Sequence, residues 1–312
     1  MWQLPELGNN SDDTALLTLR DYVRWAATRF IEADLFFGHG SDNPFDEAAT
    51  LLFHLLHIPH ERSETYLDCR LTTVERQVIA ETVALRISKR LPAAYLTHEA
   101  WFAGYSFYVD ERVLIPRSPI AELIEAGFAP WLEPDRIHKI LDLCTGSGCI
   151  AIAAALHLEE VTVDAVDISP QALAVAEKNR LRYELTRRVN LIESDLFNKL
   201  TGRRYDLIVS NPPYVDQLEM QILPHEYRHE PRIALEAGKD GLDIVRIIVA
   251  NAAGYLNPKG VLIVEVGNSV AQFGTAFPDL PVIWLEFERG GEGVFLITRE
   301  QLIASQYSHI KS

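Results

Sequence analysis

The sequence predicts an α/β protein whose larger part is a doubly wound, mostly parallel sheet with a final antiparallel strand. Three observations carry this. Short apolar runs alternate with helical stretches from residue 139 onward, a glycine-bearing turn joins the first run to an Ala-rich helix, and several runs end on an acidic residue.

Residues 1–98 come first and read as a small helical domain, expected to help recognise the substrate. Apolar residues recur at helical spacing in Tyr22, Val23, Trp25, Ala26, Phe30 and Ile31, and again in Val74, Val78, Ile79, Val83 and Leu85. Both sets are expected to be packing stripes. Asp42-Asn43-Pro44 marks a helix start, with a capping side chain followed by proline in the first turn. His54, His57 and His60 recur every third residue, but Pro59 interrupts the helix and no Cys or carboxylate cluster accompanies them. No metal site is expected there.

Residues 99–117 form the expected β-hairpin linker, because Trp101 to Val109 is aromatic and β-prone with a turn signal at Ala103-Gly104. A short helix to about Trp131 should follow Pro116-Arg117-Ser118-Pro119. Within residues 118–312, strands are expected at Lys139 to Leu143, Val161 to Val166, Val189 to Ile192, Asp206 to Val209 and Val261 to Val266. Two more, Val282 to Phe287 and Gly293 to Thr298, are joined by a link short enough to make them antiparallel.

Composition narrows the function classes. The 312 residues suit two domains, and 29 Lys plus Arg against 44 Asp plus Glu give a net charge of -15. That charge repels a phosphate backbone and suits a basic protein partner better, so no direct nucleic-acid contact is expected. Cys69, Cys144 and Cys149 are an odd set without a C-x-x-C pair, which indicates reduced thiols in the cytosol. No apolar run approaches the roughly 18 residues that span a bilayer, so a soluble cytoplasmic protein is expected.

The first strand runs into Asp142-Leu143-Cys144-Thr145-Gly146-Ser147-Gly148, where glycine allows backbone to approach a ligand and the following helix presents free N–H groups. Ala151 breaks the dinucleotide-binding glycine pattern. Asp167 ends the second strand, is followed by Ile168, and is placed to accept from both hydroxyls of a ribose. Such an acid is common to nicotinamide and S-adenosylmethionine sites. Asp195 follows the third strand, where it or adjacent backbone can read an adenine amino group.

The fourth strand ends in Asn211-Pro212-Pro213-Tyr214. An amide or aromatic amine has a delocalised lone pair, so a site that alkylates it must aim the nitrogen and hold its hydrogens with acceptors. The Asn211 side-chain oxygen and the Pro212 carbonyl are two such acceptors. Consecutive prolines stiffen the turn and remove N–H groups that would otherwise pair locally. Tyr214 offers a flat face for a planar amide beside a sulfonium cation.

In order and spacing, Asp142, Thr145, Gly146, Gly148, Asp167, Asp195 and Asn211-Pro212-Pro213-Tyr214 resemble the class I S-adenosylmethionine-dependent methyltransferase fold, with Cys144 replacing the usual first glycine of the loop. The resemblance implies that the cofactor lies against Asp142, Thr145, Gly146, Gly148, Asp167, Ile168, Asp195 and Asn211, with Pro212, Pro213 and Tyr214 on the acceptor. Leu114-Ile115-Pro116-Arg117 and the stretch from Glu230 to Leu242 are similar to protein N5-glutamine methyltransferases rather than to adenine-N6 enzymes. Ser118-Pro119-Ile120-Ala121-Glu122, where release-factor enzymes usually carry Pro and an acid, together with Gly38-His39-Gly40-Ser41-Asp42-Asn43-Pro44 and Tyr227-Arg228-His229-Glu230-Pro231, is similar to the branch acting on ribosomal protein L-three of the large subunit, and this resemblance extends over nearly the whole chain. Release-factor methylation, adenine-N6 methylation and a non-catalytic ribosome-assembly role are the alternatives.

His225-Glu226-Tyr227-Arg228-His229 also satisfies the zinc-protease string H-E-x-x-H. Pro224 and Pro231 leave it at most about two turns of helix, too short for that site, so it reads as a loop over the methyl acceptor.

Overall fold

Thr18 and Asp21 close a reciprocal capping box at the start of α1 (Leu19–Glu32), with the Asp21 N–H donating to Thr18 Oγ1 at 3.2 Å and the Thr18 N–H to Asp21 Oδ2 at 2.9 Å. The computed structural model describes residues 16–59 and 62–308 of the chain, so His60 lies outside the described residues. Asn43 caps α2 (Pro44–Leu55) as its sequence context predicts, accepting from the Phe45 and Asp46 N–H groups at 3.1 and 2.9 Å. The short α3 (Ser63–Tyr66), the long α4 (Thr73–Lys89) and α5 (Ala93–Thr97) complete this unit. Tyr22, Ala26, Phe30, Leu51, Leu52, Ile79 and Val83 form its core.

The α4 stripe differs from expectation. Val74, Val78 and Leu85 are exposed, and the buried face is Ile79, Val83 and Arg86. Arg86 is buried because Glu47, itself buried on α2, accepts from its Nε at 2.8 Å. An apolar-only pattern cannot register a buried pair of charges, so the true face of the helix was masked.

The described residues divide into two compact units after Thr97. The second opens with the antiparallel hairpin β1 (Glu99–Phe102) and β2 (Tyr105–Tyr108), whose turn residues Ala103 and Gly104 both have positive φ. The hairpin is fastened to its own unit. Asn179 accepts from the Tyr108 N–H at 2.7 Å and donates to the Tyr108 carbonyl at 3.0 Å, while the Tyr183 hydroxyl donates to the Ser106 carbonyl at 2.7 Å.

Next come α6 (Ile120–Glu125), β3 (Lys139–Leu143), α7 (Cys149–His157), β4 (Thr162–Asp167), α8 (Pro170–Arg182), β5 (Val189–Glu193) and β6 (Tyr205–Ser210). They are followed by α9 (Glu219–Ile222), α10 (Asp243–Ala252), β7 (Leu256–Glu265), α11 (Val270–Ala276), β8 (Ile283–Trp284), β9 (Val294–Thr298) and α12 (Arg299–Ser308). The helix expected to reach Trp131 stops at Glu125, because Gly127 and Phe128 turn to positive φ. The strand expected over 282–287 shortens to two residues.

The sheet order is β5-β4-β3-β6-β7-β9-β8. β5, β4, β3, β6 and β7 run parallel, and β9 inserts between β7 and β8 antiparallel to both. The fold is that of class I methyltransferases, as the sequence predicts. Alternate residues of the central strands serve two cores. Ile140, Leu207 and Val209 pack with α6 and α7, whereas Leu141, Leu143 and Ile208 pack with α10 and α12. Each such side chain contributes about 1.5–3 kcal/mol on burial. Both faces being covered, the exposed functional positions of the sheet are its carboxyl-terminal strand ends. Among the described residues no helix is long and apolar enough to cross a membrane.

Candidate active site

β3, β4, β5 and β6 end side by side, and their following loops enclose a cavity of about 290 Å³. Of the residues singled out from sequence, Gly146, Asp167, Ile168, Asp195, Asn211 and Pro213 line it, together with Ser194 and Cys144. Asp142, Thr145, Gly148, Pro212 and Tyr214 lie outside the lining.

The glycine loop explains this division. Gly146 has φ +56, and a Cβ added there would meet nothing within 4 Å, so its backbone faces open space. The Gly146 N–H donates to Asp167 Oδ2 at 2.8 Å, and Ser169 N–H donates to Oδ1 at 2.9 Å. Gly148 instead serves packing. A Cβ there would stand 3.1 Å from Ile152 Cδ1 and 3.2 Å from Ala176 Cβ, so the missing side chain lets α7 approach α8. Cys144 adopts φ +60 at the place of the absent glycine and still faces the cavity.

Asp142 works from beneath the loop. Its Oδ2 accepts from Thr145 Oγ1 at 2.5 Å and from the Ala151 N–H at 3.2 Å, tying the strand, the loop and the first turn of α7 together. The residue is fully buried and its Oδ1 has no hydrogen-bond partner among the described residues. Burial pushes the carboxyl up to about 7, against the pull of the Thr145 and Ala151 hydrogen bonds. Burial also raises the Asp167 carboxyl, with the Ser169 and Gly146 N–H groups opposing it.

The Asn-Pro-Pro-Tyr turn leaves β6 with Asn211 on the cavity and Pro212 buried. Tyr214 turns back to the sheet, where its hydroxyl donates to Glu265 Oε1 at 3.0 Å. Burial, and then the neighbouring Glu265 carboxylate, raise its phenol well above the ordinary value. Arg117 donates to Glu230 Oε1 at 2.6 Å and Oε2 at 2.8 Å, and stacks over the Tyr227 ring at 5.2 Å. The two stretches singled out as resembling glutamine enzymes are thus joined. His225–His229 form a 3-10 turn bounded by Pro224 and Pro231. The described residues contain no group of three or more His, Cys, Asp or Glu able to hold a metal.

Sequence reasoning missed Arg112, Val113, Pro231, Ile233 and Glu236 in the lining. Arg112 is held by Asp110 through Nε at 2.8 Å and Nη2 at 2.5 Å, and its hydrogen bond lowers the Asp110 carboxyl to about 2. Nothing in the local pattern marks Arg112 and Val113 apart from their adjacency to Leu114, whereas Pro231, Ile233 and Glu236 fall within the Glu230 to Leu242 stretch without being singled out in it.

An adenosyl sulfonium compound fits these residues. Open backbone at Gly146 admits a close ligand, Asp167 retains acceptor capacity beyond its two backbone bonds, and Ile168, 51% exposed, supplies an apolar face beside it.

A family model described as "Methyltransferase small domain" matches residues 127–226. The ribosomal protein uL3 glutamine methyltransferase of Neisseria meningitidis serogroup A is 52% identical over 292 residues, covering 93% of this chain and 96% of that protein. Its namesake from Bordetella pertussis is 49% identical over 294 residues, covering 94% and 99%. Among solved structures, the hMettl16 catalytic domain in complex with a MAT2A 3'UTR hairpin aligns at a TM-score of 0.48 and 17% identity, covering 74% of this chain and 81% of that one. With about half of its residues identical to the first two proteins along nearly its whole length, the chain belongs to the ribosomal protein uL3 glutamine methyltransferase family.

Proposed function

We propose that this protein transfers a methyl group from S-adenosylmethionine to the side-chain amide nitrogen of a glutamine in ribosomal protein uL3, in the cytoplasm and without direct nucleic-acid contact. The observation that carries this reading is that one cavity brings Asn211 and Pro213 together with Gly146, Asp167, Ile168 and Asp195. The substrate follows the names of the relatives. The excess of acidic residues suits a basic ribosomal protein.

The cofactor supplies an electrophilic methyl group on a sulfonium sulfur. The chain's own residues hold and aim. Asp167 would accept from the ribose hydroxyls, Gly146 would let the ligand approach its backbone, and Ile168 and Asp195 would flank the adenine. Asn211 Oδ1 and the Pro212 carbonyl would accept the two amide hydrogens and aim the nitrogen at the methyl carbon; the N–C bond would form as the S–C bond breaks, with S-adenosylhomocysteine as the leaving group and one amide proton lost to solvent. Positioning of this kind, rather than a strong base, supplies most of the acceleration. Asp142 and Thr145 keep the loop in place from below.

Incubation with labelled S-adenosylmethionine and separate pools of unmodified uL3, release factor and DNA tests the reading. Label in uL3 is the expected result. Label only in release factor or DNA reassigns the acceptor, and label in none rejects catalysis in favour of an assembly factor.

A further inference from the structure

Three side chains from distant segments meet at the end of β7. The Tyr214 hydroxyl donates to Glu265 Oε1 at 3.0 Å, and the Ser118 hydroxyl donates to Oε2 of the same carboxylate at 2.5 Å. Glu265 is 5% exposed, so its two oxygens depend on these partners in place of water. The backbone holds Tyr214 from other sides. A Cβ on Gly267 would stand 2.4 Å from Tyr214 Cε2, one on Gly241 would stand 2.2 Å from the Tyr214 carbonyl oxygen, and Ser269 Oγ donates to that carbonyl at 2.9 Å.

Ser118 is itself pinned. Its Oγ accepts from the Ile120 N–H at 3.2 Å, and Glu122 accepts from the N–H groups of Glu288 and Arg289 at 2.9 Å each. Next to it, Pro119 lies so close to Gly291 that a Cβ there would come within 2.8 Å of Pro119 Cβ. This is the segment where the chain departs from the release-factor pattern. Its residues are clamped against the end of the sheet, and the hydroxyl that replaces the usual proline is spent on Glu265.

We propose that Glu265 is a positioning residue for methyl transfer: held by Ser118, it fixes the Tyr214 hydroxyl and with it the ring plane in the turn that carries Asn211. The role rests on the functional reading above. A tyrosine anchored at both its hydroxyl and its backbone loses its freedom about both side-chain torsions.

The test is a double-mutant cycle with Glu265→Gln, Tyr214→Phe and the pair, read by steady-state kinetics on uL3 and by calorimetry with S-adenosylhomocysteine. Glu265→Gln is expected to lower kcat ~30-fold, with KM and S-adenosylhomocysteine affinity held within ~3-fold, since misplacement near the reacting atoms costs rate rather than binding. In the Tyr214→Phe background the same change is expected to cost under ~3-fold, because the hydroxyl it acts through is gone. An undiminished second loss, or a fall in cofactor-product affinity that matches the fall in kcat, overturns the role. Ser118→Ala is the gentler variant should Glu265→Gln fail to fold. It should lower kcat ~5-fold with the same non-additivity, and an unchanged kcat overturns the relay. If wild-type protein transfers nothing to a glutamine amide, the functional reading falls and this role with it. Additive losses in an active enzyme overturn this role alone.

Discussion

Arg117 and Glu230 stand 113 residues apart in sequence and form a two-bonded ion pair, at 2.6 and 2.8 Å, in which the Glu230 side chain is fully buried. Burial opposes the charge on Arg117, but the Glu230 carboxylate outweighs it and raises the guanidinium above its ordinary value. Glu230 Oε1 also accepts from the Ile115 N–H at 3.0 Å, so one carboxylate fastens the approach to α6 to the loop beyond the Asn-Pro-Pro-Tyr turn. Glu230→Ala leaves Arg117 without this partner and should destabilise the second unit by about 3 kcal/mol in urea unfolding. Retention of wild-type stability would show that the pair does not hold the loop.

Asn211 is the only one of the two expected amide acceptors whose residue lines the cavity. Asn211→Ala should lower kcat by ~10³-fold and leave S-adenosylmethionine affinity within ~3-fold, the pattern of a group that acts in the transition state. Single-turnover kinetics and calorimetry read the two quantities separately. Wild-type turnover in this variant would remove Asn211 from the mechanism.

Asp167 accepts from the Gly146 and Ser169 N–H groups, and under the proposed function it also accepts from the ribose. Asp167→Ala loses both and should weaken S-adenosylmethionine binding by ~100-fold, whereas Asp167→Asn keeps one acceptor oxygen and should weaken it less. Equal affinities in calorimetry for wild type and Asp167→Ala would reject the assignment.

Asp142 makes stability fall with rising pH. Its folded carboxyl sits at about 7 against 3.8 for an ordinary aspartate, so between those values the folded chain keeps a proton that the unfolded chain has lost. Its contribution to stability is therefore full below pH 3.8 and is lost as pH rises through about 7. Asp142→Asn cannot ionise. Relative to wild type, it should gain on the order of 4 kcal/mol between about pH 4 and about pH 8, measured by denaturant unfolding at each pH. A difference that stays constant with pH would show that Asp142 is already ionised when folded.

The strands from Lys139 to Val266 were legible because each is an apolar run, four of the five ended by an acid, an asparagine or a glycine, and buried parallel strands have little freedom to read otherwise. Asn43 and Pro44 were legible because a helix cap is a local device. The cavity was half legible. Gly146, Asp167, Asp195 and Asn211 announce themselves at strand ends, but Gly148 looks the same as Gly146 in sequence and only packing against Ala176 separates them. Tyr214 reads as a free aromatic face until Glu265, 51 residues away, claims its hydroxyl. Arg86 hides among the apolar positions of α4 because its partner is on another helix. Long-range polar pairs leave no periodicity, and they account for most of what the sequence alone did not disclose.

The central claim is that the acceptor is a glutamine side-chain amide, and site-resolved mass spectrometry tests it most directly. uL3 purified without the modification is incubated with this protein and S-adenosylmethionine, digested, and sequenced by fragmentation beside a reaction containing Asn211→Ala. The account predicts one methyl group on the side-chain nitrogen of a glutamine, present with wild type and lost with the variant. A methyl group on lysine, on a carboxylate or on the backbone, or an unchanged yield with Asn211→Ala, would contradict it.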